Sequence, residues 1–434
     1  MFVDRVIEGI EDVWRGVRGW TKADHSQYFP IICPHSTNAL ALHNGSLLSV
    51  VRVHGYMGQY FPEQFDDLTQ RWAKFFQTVT KDKTAKGFDL FWSYEYDPEG
   101  MKEKAGSYRE GMIRSAENRG LKIRDILEEE AGLYGDICAN ETQLLLIVTH
   151  IDSLPKTDQK EALTKASQDR LKAIRGAGSM AMQRGVKALE AVHEQQVNKV
   201  LTFMENVGRH YNTERLNCYD ALKAMRMSLQ PATTKSWKAR LTLRDSRIRA
   251  TDNVPGSIKK AQSTDKPLDW TFQLPPSLSE QMVPDGMVDL GRFVLCGDRI
   301  YAPMYVSELA VDPEPLDSLI RMCFKRRLPI RIVYSVMANS EQANYWNRLF
   351  AGIFSFASTS NKQITKADKA MKQYAEGIGT IFGYGMSITT WAPANAMYDA
   401  QGRAMYEVKA IQKRAQHIET LAQQWGGQQK DTHF

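Results

Sequence analysis

The chain has 434 residues, 43% of them hydrophobic, enough to bury a core without disulfide or metal staples. Its 56 basic and 50 acidic residues leave a formal charge of +6, too slight by itself to mark a nucleic-acid binder. Five widely spaced cysteines form no CxxC pair, which excludes a disulfide framework and a cysteine zinc site and favours a reducing, cytoplasmic setting.

Residues 1–27 predict an N-terminal amphipathic helix. Phe2, Val3, Val6, Ile7, Ile10, Val13, Trp14, Val17 and Trp20 recur at steps of three and four, which places them on one face. Asp4, Arg5, Glu8, Glu11, Asp12, Arg15 and Arg18 occupy the other face and rule out a signal-peptide core. The helix either packs on its own domain or contacts a membrane or a partner helix. Its tryptophans suit a membrane interface, but its balanced charges do not. Gly9, Gly16 and Gly19 weaken it, so it needs something to pack against.

Residues 28–157 read as a first α+β unit. Asn44-Gly45 between two β-prone runs, 39–43 and 46–54, is a type I′ hairpin signal. A helix from Pro62 to about Val79 would bury Phe65, Leu68, Trp72, Phe75 and Phe76. An aromatic strand over 88–96, charged helical sequence to about Tyr134, and an apolar strand over 143–150 follow. That last strand ends Thr-His-Ile-Asp and loosely imitates a Walker-B strand. No GxxxxGK[ST] loop exists anywhere in the chain to hold the nucleotide that such an aspartate would serve.

Residues 158–229 lack proline and predict a helical arm, with a joint near Gly176–Gly178 and a further helix over 213–229. His193-Glu194 matches the start of a zinc-protease HExxH, but Val197 stands where the second histidine must be. Residues 230–288 hold six prolines and predict a basic connector, with a short strand over 239–243. Between Lys223 and Lys266 there are eleven Lys/Arg and three Asp. Such a strip is either a solvated connector or a contact for acidic lipid, nucleic acid or an acidic partner. Trp237, Trp270 and Phe272 are too sparse there for a stacking platform.

Residues 289–402 read as a second α+β unit. Gly297-Asp298 turns a hairpin between 290–296 and 299–306. A helix over 315–325, a strand over 330–337, helices over 340–354 and 366–377, and a strand over 387–391 follow. This repeats the order of 39–150, which predicts a structural repeat. Gly377, Gly379, Gly383 and Gly385 predict a loop or helix cap, since their spacing is not that of a dinucleotide loop. Residues 403–434 predict a helix to Trp425 with a heptad-like seam, then a polar tail. The predicted fold class is α+β: two hairpin-helix-strand-type α/β units with a long helical insertion between them.

Nine histidines stand apart from one another, and Glu128, Glu129 and Glu130 read as a solvated helix face. No catalytic, cofactor-binding or metal-binding residue is assigned.

The stretch 28–60 carries a family resemblance. Pro30, the Asn44-Gly45 turn, then Val50, Val51, Arg52, Val53 and Gly55, followed by a helix with Trp72 and Phe75, resemble the start of the type IV secretion and conjugation ATPases. The IcmB/DotO-like and TraU-like branch, found in Dot/Icm systems and related conjugative plasmids, is the nearest in pattern. The likeness is best over 28–80 and partial over 290–425. It implies a cytoplasmic ATPase, peripheral at the inner membrane, that assembles as a hexamer or a multimer of dimers. Its implied partners are inner-membrane components of a type IV secretion system, other secretion ATPases and the membrane surface. An α+β N-terminal half would dock on the channel base and a RecA-like motor would use ATP and Mg. Because the chain has no Walker A loop, the resemblance implies either the N-terminal part or a motorless relative; the expectation is the former, without cofactor in this chain, its last helix leading into a motor beyond residue 434. The rival expectation is a nucleic-acid-binding module using residues 223–266.

Overall fold

The structure, a computed structural model, describes residues 29–42, 45–56, 87–154, 178–207, 211–241, 287–309, 316–337, 383–398, 404–425 and 427–430, with shorter pieces at 67, 70–72, 74–76, 247–249, 270–272 and 278–282. It is α+β, as the sequence predicts. In chain order, β1 (Ile31–Pro34), β2 (Leu40–Leu42), β3 (Leu47–Tyr56) and β4 (Phe88–Asp97) lead to helices α1 (Gly100–Asn118) and α2 (Arg124–Ile137). Next come β5 (Asn140–Thr149), α3 (Gly178–Val207), β6 (Tyr211–Arg215), α4 (Cys218–Met227) and α5 (Pro231–Thr234). A small hairpin, β7 (Arg247–Arg249) with β8 (Trp270–Phe272), precedes α6 (Leu278–Met282), β9 (Met287–Asp289), β10 (Val294–Cys296) and β11 (Arg299–Leu309). The chain continues through α7 (Leu316–Lys325), β12 (Ile330–Met337), β13 (Gly383–Pro393), β14 (Ala396–Tyr398), β15 (Ala404–Tyr406), α8 (Lys409–Trp425) and β16 (Gly427–Lys430).

Among the described residues twelve strands make one antiparallel sheet, in the order β1-β2-β3-β5-β4-β12-β13-β11-β10-β9. β6 adds to β3 beside β2, and β16 adds to β11 beside β10. Glycines turn both hairpins because the turns need left-handed backbone: Gly45 has φ +80° and Gly297 has φ +61°. At the second hairpin Cys296 pairs with Arg299, so Gly297-Asp298 is a two-residue loop. At the first, residues 43–44 lie outside the described residues.

Alternation along the strands covers both faces of the sheet. On β3, Val51 and Val53 face α3, where Val197, Val200 and Met204 pack on them with Leu145 and Ile147 of β5. Leu48 and Val50 point the other way, to α4 with Leu222 and Ala221. In the later half, Ile300 and Ala302 meet Ile411 and Ala415 of α8, while Met304 and Val306 join Ile418 and Trp425. The periodic seam read in 403–425 is thus a buried face of α8.

α1 and α2 pack chiefly on each other and project from the sheet as a helical hairpin. Ala105, Ile113 and Ala116 of α1 are buried, as are Leu127, Ala131 and Gly135 of α2. Arg327 clasps the base of this hairpin. Its guanidinium donates to the carbonyls of Gly135 (3.0 Å), Cys138 (3.2 Å) and Asp136, at the C-terminal end of α2. It does so from a left-handed backbone, φ +49°, at the end of α7.

Several expectations need correction. Residues 158–229 are not wholly helical: Tyr211–Arg215 form β6, and the next helix starts only after Asn217, whose side chain accepts from the Asp220 amide. The expected strand over 290–296 is interrupted, because Gly291 (φ +87°) separates β9 from β10. Gly383 and Gly385 lie inside β13 rather than in a loop or cap. Residues 404–406 are β15, so α8 starts at Lys409. Gly427–Lys430 of the supposed polar tail pair with β11. Residues 239–241 form no strand. The predicted helices over 340–354 and 366–377 and the joint near 176 lie outside the described residues, as do Pro62–Phe65, Leu68 and Val79 of the predicted helix after the first hairpin.

Candidate functional site

Titratable and nucleophilic side chains gather where β3 begins, β5 ends and β4 begins. The register forces this: Thr149 of β5 lies opposite Leu47 of β3 on one side and Phe88 of β4 on the other. Ser46, His150 and Asp89 therefore converge at one sheet end. Ser46 Oγ lies 2.6 Å from His150 Nδ1, and His150 Nε2 lies 2.7 Å from Asp89 Oδ2. The line-up is serine, histidine, aspartate. The His150 amide also donates to Gly87 O at 2.6 Å. Gly87 is tightly wedged, since a Cβ there would stand 2.7 Å from Ser153 Oγ and 2.9 Å from Ser153 N.

This line does not make a nucleophile. A serine of that kind needs Oγ open to a substrate carbonyl. Ser46 is 1% exposed.

A second group lies one residue inward. His193 of α3 is fully buried, with Nε2 2.8 Å from Ser49 Oγ and Nδ1 2.9 Å from Thr149 Oγ1. Ser49 donates to Asn38 O at 2.8 Å and accepts from Arg215 Nη2 at 3.1 Å. Its one proton is therefore committed, and His193 must donate to it through Nε2–H while Nδ1 accepts from Thr149. A histidine that donates to the serine cannot take its proton. Burial and the neighbouring Arg215 push the His193 pKa down to about 4, so the ring is neutral. Arg215 binds Glu194 through both guanidinium nitrogens at 2.6 Å and holds its carboxyl below the usual range. The His193-Glu194 pair thus staples α3 to the sheet instead of holding zinc.

A third group joins the two halves of the sheet. Glu95 of β4 pairs with Arg331, directly opposite on β12, at 2.7 Å. Asp97 pairs with Arg299 at 3.0 Å and also caps the Gly100 amide. Both guanidinium groups lie over Trp391, at 5.1 and 5.6 Å from its ring centroid. Tyr301 donates to Leu229 O at 2.7 Å, and burial raises its pKa beyond any physiological range.

Among the described residues no group of three or more His, Cys, Asp or Glu side chains is placed to hold a metal. No described helix is long and apolar enough to cross a membrane. The predicted contact residues Phe2, Val3, Val6, Ile7, Ile10, Val13, Trp14, Val17 and Trp20 lie outside the described residues. In the basic strip, Arg226 is buried, lies 4.7 Å over the Trp237 ring and donates to Gln281 O. Lys238 lies 5.2 Å over Tyr219. These groups pack on one another rather than forming an open stacking platform.

The sequence reading missed Ser46, His150 and Asp89, which are 43 to 104 positions apart, as it missed the exposed apolar face of α1 and α2. Tyr108, Met112, Ile126, Leu133, Tyr134 and Ile137 are all exposed there. A signal for that face was present: Ile126, Leu133 and Ile137 are spaced at helical intervals amid carboxylates. No protein-family model matches the chain, and no curated protein matches it.

Proposed function

We propose that this chain is the N-terminal assembly and membrane-docking module of a type IV secretion or conjugation ATPase, of the IcmB/DotO-like or TraU-like branch. It couples an ATP-driven motor, outside these residues, to the inner-membrane base of the channel. ATP and Mg belong to that motor. The module is cytoplasmic, peripheral at the inner membrane, and works as a homo-oligomer beside inner-membrane components and other secretion ATPases.

One observation carries the docking part of this reading. Among the described residues, Ser46, Ser49, Thr149 and His193 are buried and hydrogen-bonded and the half-buried His150 and Asp89 are bonded to each other, while a projecting helical hairpin exposes apolar side chains. That is the distribution of an interaction module, since large exposed apolar faces mark contact sites. The secretion part rests on the resemblance. Val50, Val51, Arg52, Val53 and Gly55 lie on β3, between the core faces of α3 and α4.

The module is built from two α+β units. The order β2-β3-β5-β4 of the first is mirrored by β10-β11-β13-β12 of the second. In each, a helix and a short strand return to the long hairpin strand: α3 with β6 to β3, and α8 with β16 to β11. Residues 1–20 supply the membrane contact. Co-flotation of the chain with inner-membrane vesicles is expected for the wild type and lost in the Val6→Glu, Trp14→Glu variant. Unchanged flotation removes the docking role of that segment.

A further inference from the structure

The outer helix of the projecting hairpin has a patterned surface. Ile126, Glu130, Leu133 and Ile137 fall at i, i+4, i+7 and i+11, one stripe of α2 about 17 Å long. Ile126 is 60% exposed, Leu133 58% and Ile137 70%. The buried line Leu127, Ala131 and Gly135 faces α1, so the stripe is not the hairpin's own seam. Tyr108 and Met112 of α1 flank the same side, because Arg109 between them reaches Glu130 and lies 5.6 Å over the Tyr134 ring. The apolar face therefore spans both helices.

Charge says what covers it. Glu130 is paired with Arg109, and Glu128 shares Arg124 with Glu117. Asp125 and Glu129 are exposed and have no ion-pair partner among the described residues. Together with Asp136 they run along the outer edge of the stripe. An acidic membrane surface is repelled by such an edge. A second copy packed antiparallel on the same stripe brings both acidic edges to one side of the pair, where like charges oppose each other. A helix with an apolar face edged by Lys or Arg satisfies both features.

We propose that the face formed by Ile126, Leu133 and Ile137 of α2, with Tyr108 and Met112 of α1, docks a basic amphipathic helix of a partner protein. The helix lies along the hairpin as a third helix, its apolar residues on the stripe and its cations against Asp125 and Glu129. This surface stands apart from the membrane contact assigned to residues 1–20, and its test does not depend on the secretion reading.

The probes are two synthetic amphipathic helices with the same leucine face, one edged with lysine and one with glutamate. Fluorescence anisotropy at physiological salt measures each against the full chain. The lysine peptide is expected to bind and the glutamate peptide is not. Leu133→Asp is expected to weaken the lysine peptide by about tenfold or more. Asp125→Lys combined with Glu129→Lys is expected to transfer binding to the glutamate peptide, a gain that misfolding cannot imitate. Equal binding of both peptides to the wild type overturns the proposal, as does unchanged affinity in Leu133→Asp. A wild-type dimer in sedimentation velocity that Leu133→Asp converts to monomer also overturns it, and gives the face to a second copy.

Discussion

His193 shows how a residue type associated with catalysis is used here for packing. It sits between Ser49 and Thr149 with both ring nitrogens engaged, and its pKa falls from 6.5 to about 4 through burial and Arg215. Between those values the unfolded chain binds a proton that the folded chain refuses. Stability therefore falls as pH drops from about 6.5 to about 4, by up to roughly 3 kcal/mol. Glu194, held low by Arg215, adds a separate loss at lower pH, as its carboxylate protonates. Urea titrations across this range test the assignment: His193→Gln is expected to remove the slope between pH 6.5 and 4, and a slope that persists contradicts it. None of this was legible in the sequence, where His193-Glu194 suggested only a failed zinc motif. The partners Ser49 and Thr149 lie 144 and 44 positions away and meet His193 only through the sheet.

At the scale of elements, the junction of β4 with β12 holds an ion pair that joins the two halves of the sheet. Glu95 is buried, Arg331 is largely covered, and they face each other across it. Removing one partner leaves the other charge buried without compensation, so Glu95→Ala is expected to cost about 3–5 kcal/mol. Glu95→Leu with Arg331→Met is expected to cost less than that single change, because both desolvation penalties disappear. A double variant less stable than the single one contradicts this account. Local periodicity made much of this architecture legible. β12 spans the predicted residues 330–337, and α7 nearly matches 315–325. Elements stabilised by distant partners were not legible. Gly385 looked like loop punctuation, yet it lies in β13 because the Ser335 hydroxyl occupies the space of a Cβ, 2.5 Å away. β16, of sequence GQQK, has no β-branched or aromatic residue and is a strand only because the open edge of β11 needs a partner. The projecting arm was expected in 158–229, but the described part of α3 is held on the sheet by Val197, Val200 and Met204, and the hairpin that stands out is 100–137.

At the scale of the molecule, the mutually bonded polar groups and the exposed apolar surface lie on different elements. The polar groups at the ends of β3, β5 and β4 pin the fold from inside, and the α1–α2 hairpin, clasped by Arg327, offers a face to the outside. The hairpin residues behind the secretion resemblance are legible in sequence as a fold signal, whereas the spacing of Ile126, Leu133 and Ile137 signals an apolar helix face without showing that it is exposed. Its exposure depends on how Arg327 sets the end of α2. Under the proposed function, the chain serves secretion or conjugation through its contact face. The direct measurement is conjugative transfer or effector secretion by cells whose copy of the gene is deleted and then complemented. The account predicts loss on deletion, restoration by the wild type and by Ser46→Ala, and failure of the Ile126→Asp, Leu133→Asp variant although it folds normally. Normal transfer without the gene, or loss of transfer in a stably folded Ser46→Ala protein, contradicts it.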